Sequence, residues 1–201
     1  YGPTEAGISA IECHCPPSVD VITLGRPVYN MHAYVVDSEL RPVAVGVPGE
    51  LLLSGPRLAL HYTGHAELTA DKFIPNPCID LVSDRIDPSL APYYLKAYRT
   101  GDLVRWCSDG TLEYLGRIDR QVKVMGVRIE LGEVENALAT APGVTMAVSA
   151  MIVDPRSSKD NPVKRLVGWV APSSVDPLLI LQHCALSLVP AAVPVDVVPL
   201  D

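Results

Sequence analysis

In the first half of the chain, apolar and polar positions switch in short bursts. The runs AYVVD (Ala33 to Asp37) and GELLLSG (Gly49 to Gly55) are bounded by Gly, Pro and Asp, with RPVAVGVPG supplying turn residues between them. Together they predict an antiparallel pair. ELTADKF (Glu67 to Phe73) reads as a short helical turn, and the Pro- and Asp-rich stretch from Pro75 to Pro92 as a surface loop tolerant of change. LVRW and LEYLGR flank CSDG, where Asp109-Gly110 is a strong hairpin signal.

Beyond Arg117 the period changes. ELGEVENALATAPG repeats apolar residues at Leu131, Val134, Leu138 and Ala141, one face of a helix, with three glutamates near its start and Pro142-Gly143 at its end. VTMAVSAMIVD and RLVGWVAP predict two strands, Asp176-Pro177 starts a second helix, and a proline-spaced extended tail closes the chain. The order β, α, β, β, α describes a small α+β domain behind a β-rich first half. There is no internal repeat.

At 201 residues the chain suits one domain or two small ones, and 48% apolar against 19% charged residues argues against extended disorder. The net charge of -7 offers no general attraction to nucleic acid or anionic membrane, so neither is expected as a partner. Pro177 to Val195 lacks charge, yet Gln182, His183, Pro190 and Pro194 interrupt it and favour a helix of a soluble fold. Five cysteines without a paired framework suit a reducing, cytoplasmic setting. ECHC (Glu12 to Cys15) lacks a second distant pair and is expected to hold no metal.

Two short stretches carry candidate chemistry. YGPTEAG offers a ring to stack on a base (Tyr1), a glycine that lets backbone come close, a hydroxyl for phosphate (Thr4) and a carboxylate for magnesium (Glu5); the same pattern also suits an ordinary turn. In YRTGDL, Asp102 follows a glycine turn and presents two acceptor oxygens at the spacing of vicinal ribose hydroxyls, or simply caps that turn. Arg117 adds a donor to ribose or phosphate, or forms a surface ion pair.

YGPTE, GELLLSG, YRTGDL and GRIDRQVKVMGVRIELGEVE, in that order, resemble successive core motifs of the adenylation domains of nonribosomal peptide synthetases, within the wider acyl-CoA synthetase and luciferase superfamily. The resemblance runs from Tyr1 to the LVPAAVPVDVVPLD tail. It implies an α/β and α+β architecture: residues 1–118 as the β-rich C-terminal subdomain of the large adenylation core, and 119–201 as a small α+β lid, both incomplete. By the same resemblance Tyr1 stacks near adenine, Thr4 contacts the α-phosphate, Glu5 binds Mg2+, and Asp102 holds the ribose with support from Arg117. Ile8 and Ser9 would line the amino-acid pocket, Asp119 would be the hinge, and Lys123, Met125 and Gly126 would approach the pantetheine tunnel.

The resemblance further implies ATP and Mg2+ as cofactors, an amino acid as substrate, and a phosphopantetheine-bearing peptidyl carrier and neighbouring synthetase domains as partners. It has departures. ALHY (Ala59 to Tyr62) stands where the family shows Ala-Arg-Gly-Tyr, and His61 reads as a packing or surface residue. The family's Asn-Gly-Lys motif with its catalytic lysine, its upstream phosphate loop and its pocket aspartate are not in the sequence, so this stretch alone is not expected to catalyse adenylation. Two alternatives stay open: an acyl-CoA synthetase relative, and a non-catalytic truncated module.

Overall fold

A computed structural model describes residues 1–15, 22–124, 126–154, 156–158 and 162–201. The chain divides into two compact units, Tyr1–Asp119 and Arg120–Asp201.

The first unit is built on an antiparallel sheet. A two-residue pair, β1 (Ile11–Glu12) with β2 (Arg26–Pro27), precedes it. β3 (His32–Val36) and β4 (Gly49–Ser54) pair antiparallel, as their β-rich runs predict, Val35 lying opposite Leu51. Helix α1 (Ala66–Lys72) leads into β5 (Phe73–Pro75), and the long β6 (Lys96–Trp106) follows. One edge of β6 meets β4; the other meets β5 near its start and β7 (Leu112–Arg117) near its end. The Asp109-Gly110 turn connects β6 to β7, with Gly110 N donating to Cys107 O at 3.0 Å.

Both faces of this sheet are covered, so β4 is buried throughout: its Leu51–Leu53 run on both sides, and the polar Glu50 and Ser54 at its ends as well. Leu51, Leu53, Val35, Val104, Leu112 and Ile11 pack on one side. Leu52, Tyr34, Val36, Ala97 and Cys78 pack on the other, since successive strand residues point to opposite faces. Cys78 belongs to the stretch expected to be a tolerant loop. That stretch folds into three 3-10 turns instead, and its buried Asn76 donates to Tyr94 O at 2.9 Å while accepting from Cys78 N at 2.9 Å. A buried amide with two backbone partners pins the segment from below, a feature no local composition reveals.

The second unit opens with the antiparallel pair β8 (Gln121–Val124) and β9 (Val127–Glu130), followed by α2 (Leu131–Ala139). β10 (Met146–Val153) pairs antiparallel with β11 (Lys164–Ala171). After α3 (Pro177–Ser187), β12 (Asp196–Pro199) lies parallel to β11, so the predicted extended tail becomes a sheet strand. Asp176 caps α3, its Oδ1 accepting from Leu178 N at 2.9 Å. The helix residues Leu131, Val134 and Leu138, with Ala141 just beyond, are all buried against Leu166, Val170, Ile180 and Val197. Gly168 makes that approach possible: a Cβ there would stand 2.8 Å from Leu138 Cδ1. No helix among the described residues is long and apolar enough to cross a membrane.

Candidate functional site

The TGD turn interrupts β6 at Gly101, whose φ of 70° lies in the left-handed region that glycine adopts without penalty. Neighbouring groups hold this kink in place. Thr100 Oγ1 donates to Leu51 O at 2.8 Å and accepts from Asp102 N at 3.0 Å. The buried Glu50 accepts from Gly101 N at 3.2 Å on one oxygen and from Arg99 Nη2 at 2.8 Å on the other. The first residues of GELLLSG therefore brace the turn that aims Asp102, across a register shift between β4 and β6.

Asp102 is buried, with a side chain 9% exposed. Its Oδ1 accepts from Arg117 Nη1 at 2.9 Å, and its Oδ2 accepts from the Tyr1 hydroxyl. The same guanidinium donates through Nη1 to Thr100 O at 2.8 Å, through Nε to Asp119 Oδ1 at 2.8 Å and through Nη2 to Asp119 Oδ2. Tyr1, 101 positions away, and Arg117, 15 positions away, thus converge on one carboxylate. A carboxylate offers about four acceptor positions, so the two bonds shown here leave acceptor capacity for hydroxyl donors.

The electrostatics follow from this packing. Burial, then the Asp102 charge and hydrogen bond, push the Tyr1 phenol far above its ordinary pKa, so it remains a proton donor. Burial alone would lower the Arg117 pKa, but its bonds to Asp119 and Asp102 outweigh that and raise it. Gly101 is required here sterically as well as conformationally. A Cβ on it would lie 2.6 Å from Asp119 Oδ2 and 2.8 Å from Arg117 Nη2. Tyr114 of β7 joins the same field: burial and then the Asp102 charge raise its pKa. Its place could have been inferred only from the β6–β7 register, in which Val104 opposes Tyr114.

Glu5 lies on a 3-10 turn, Thr4–Ala6, that follows Pro3 and ends at Gly7. Its Oε1 accepts from the Tyr62 hydroxyl at 2.6 Å, and its backbone carbonyl accepts from Ala59 N at 2.8 Å. No group of three or more His, Cys, Asp or Glu able to hold a metal occurs among the described residues. One half-buried carboxylate suits Mg2+, which takes one or two protein oxygens and completes its shell with phosphate and water. The donor set at Glu5 therefore fits such an ion when a nucleotide brings the phosphates.

Thr4 is exposed on that turn. Ile8 is 79% exposed at a φ of 72°, an outlier for a β-branched residue, and Ser9 Oγ donates to Glu12 Oε1 at 2.7 Å. His61 lies in a cleft of about 550 Å³ with His65, Phe73 and Lys96. In the second unit, Lys123 is exposed on β8 opposite Arg128, and Gly126 is exposed at a φ of 83°. Met125 lies outside the described residues. Cys13 and Cys15 are free thiols.

Comparison with known proteins adds likenesses of sequence and of structure. The AMP-binding enzyme family matches residues 1–63. The chain is 44% identical over 173 residues to phosphinothricin tripeptide synthetase PhsB of Streptomyces viridochromogenes, covering 86% of this chain and 13% of that protein. It is 45% identical over 163 residues to tyrocidine synthase 3 of Brevibacillus parabrevis, covering 79% of this chain and 2% of that one. Among solved structures, PA1221, an NRPS protein containing adenylation and PCP domains, matches the whole chain at a TM-score of 0.72 and 27% identity, over 37% of its own length. The chain therefore spans a small share of the proteins it matches.

Proposed function

The chain belongs to the AMP-binding enzymes, and within them to the adenylation domains of nonribosomal peptide synthetases, and from that premise we propose that it supplies part of the nucleotide site with which its parent activates an amino acid. In that reaction the amino-acid carboxylate attacks the α-phosphate of ATP, forming an aminoacyl adenylate and releasing pyrophosphate. The activated acyl group then passes to the thiol of a phosphopantetheine on a neighbouring carrier domain, with AMP as leaving group.

Each residue has a role in this proposal. Asp102 accepts from the two ribose hydroxyls, and Arg117 holds that carboxylate in place. Tyr1 supplies a ring beside the base and a phenol that steadies Asp102. Thr4 meets the α-phosphate, and Glu5 holds Mg2+, which when bound neutralises charge on the phosphate oxygens. Preorganised donors and charges of this kind lower the barrier because they are already in place when charge develops. Ile8 and Ser9 border the amino-acid pocket.

We assign residues 1–118 to the large core and 119–201 to the small lid, with Asp119 as pivot and Lys123, Met125 and Gly126 facing the pantetheine. In support, the chain separates into compact units after Asp119. A pivot lets one site serve two half-reactions in turn.

The observation that carries the nucleotide reading is the convergence of Tyr1, Arg117 and the TGD turn on Asp102. Its test is Asp102→Ala in the parent synthetase, with ATP affinity measured by calorimetry. Loss of a charge-assisted bond weakens binding by about 1 to 3 kcal/mol. Unchanged affinity would refute the assignment.

A further inference from the structure

We propose that Tyr62 is a positioning residue for Glu5, holding the carboxylate in one orientation through its phenol. The inference rests on the reading that Glu5 meets the magnesium ion of the bound nucleotide.

The geometry is specific. The Tyr62 hydroxyl donates to Glu5 Oε1 at 2.6 Å across 57 positions of sequence. Ala59, three residues earlier on the same loop, donates its backbone N–H to Glu5 O at 2.8 Å. One loop thus grips both the backbone and the side chain of Glu5.

Tyr62 is itself held from several sides. Its backbone N–H donates to Thr69 Oγ1 of α1 at 3.0 Å. Its ring meets Phe73 edge-on at 5.5 Å between centroids, and Phe73 packs at 5.1 Å on the fully buried Tyr98. A tyrosine phenol ionises only near about pH 10, so this one is a neutral donor at physiological pH.

A neutral donor is the right partner for a carboxylate that must also meet a cation. It removes rotamer freedom from a flexible glutamate without bringing a positive charge that would compete with the metal. A lysine or arginine at this position would do the reverse. The phenol therefore orders Glu5 before the ion arrives.

The test uses the parent synthetase with a non-hydrolysable ATP analogue and Mn2+, whose free concentration is read by electron paramagnetic resonance. Glu5→Gln, Tyr62→Phe and Phe73→Leu are compared. We expect Mn2+ affinity to fall about tenfold in Tyr62→Phe, the lower end of the roughly 10- to 100-fold range for a lost partner of a metal-holding group. Glu5→Gln should lose at least as much, and Phe73→Leu should stay within about twofold of the unchanged protein, since Phe73 meets the Tyr62 ring and brings no polar group to Glu5.

If Glu5→Gln weakens Mn2+ binding while Tyr62→Phe does not, the positioning role is wrong and the reading of Glu5 stands. If Glu5→Gln has no effect, the reading itself fails, and the role of Tyr62 with it. Equal losses in Tyr62→Phe and Phe73→Leu would mean that general packing is responsible, which overturns the proposal. Adenylation by Tyr62→Phe should also recover as free Mg2+ is raised, a rescue that a misfolded protein would not show. Absence of that recovery counts against the proposal.

Discussion

Replacing Gly101 by alanine tests whether the TGD turn and the Arg117 cluster form one steric unit. A new Cβ would stand 2.6 Å from Asp119 Oδ2 and 2.8 Å from Arg117 Nη2, too close for either to remain. Arg117 is the harder to move, because Nη1 is bonded at 2.8 Å to Thr100 O and at 2.9 Å to Asp102. Asp119, with a side chain 29% exposed, swings out at lower cost.

Losing that partly solvated ion pair costs about 1 to 2 kcal/mol. Holding alanine at a φ of 70° adds about 1 to 2 kcal/mol. The smaller entropy of the unfolded alanine chain offsets about 0.4 to 1 kcal/mol. The net loss should be about 2 kcal/mol. Trp106 lies in the first unit on the strand that carries Gly101, and Trp169 lies in the second. Urea unfolding in a Trp169→Phe background, followed by Trp106 fluorescence, therefore reports on the affected unit. In an Asp119→Ala background the substitution should cost about 1 kcal/mol less, because the closest clash is gone. A loss below about 0.5 kcal/mol, or the same loss in both backgrounds, would refute the steric argument.

Two further substitutions probe the structure away from the site. Asn76→Ala should destabilise the first unit by about 2 to 4 kcal/mol in the same fluorescence assay, because Tyr94 O and Cys78 N lose a buried partner. A change under about 1 kcal/mol would return that segment to the status of a tolerant loop. In the second unit, Glu135 accepts from Arg120 Nη1 at 2.9 Å, from its Nη2 at 2.6 Å and from Ser149 N at 2.8 Å. Burial opposes ionisation of Glu135, but these bonds prevail and lower its pKa below the usual value. A depressed carboxylate stabilises the fold above its unfolded pKa, and that contribution is lost as pH falls through the folded value. Glu135→Gln should cost about 1 kcal/mol at neutral pH, the Arg120 end being open to water. Its stability, followed by Trp169 fluorescence, should fall less than that of the unchanged protein as pH drops below about 4.3; identical pH profiles would remove Glu135 from the account.

What could be read in advance was whatever local pattern determines. The β-rich run around Tyr34, the Leu run of β4, the Asp109-Gly110 turn and the buried face of α2 each follow from local pattern within a dozen residues. Pairing between distant segments left no such trace. β12 is apolar and proline-spaced, and only its parallel register with β11 makes it a strand. The separation of β8 from β9 was hidden inside one long motif, and Asn76 looks like any loop asparagine until Tyr94 is brought above it.

The candidate site divides in the same way. Tyr1, Glu5, Asp102 and Arg117 stood out as residue types with suitable chemistry, but the bond from Tyr1 to Asp102 and the sharing of Arg117 with Asp119 depend on the fold. Glu50 and Tyr62 carried no signal of their own: one reads as a strand-edge glutamate, the other as a loop tyrosine. Both matter through partners about fifty positions away.

Two arginines stand three residues apart where the compact units divide. Arg117 is bolted to Thr100 and Asp102 of the first, Arg120 to Glu135 of the second, and Ile118 N donates to Gly101 O at 2.9 Å. Each end of that short stretch is tied back into the unit it belongs to. Loss of either arginine would therefore fray the end of its own unit while leaving the bonds that hold the other in place.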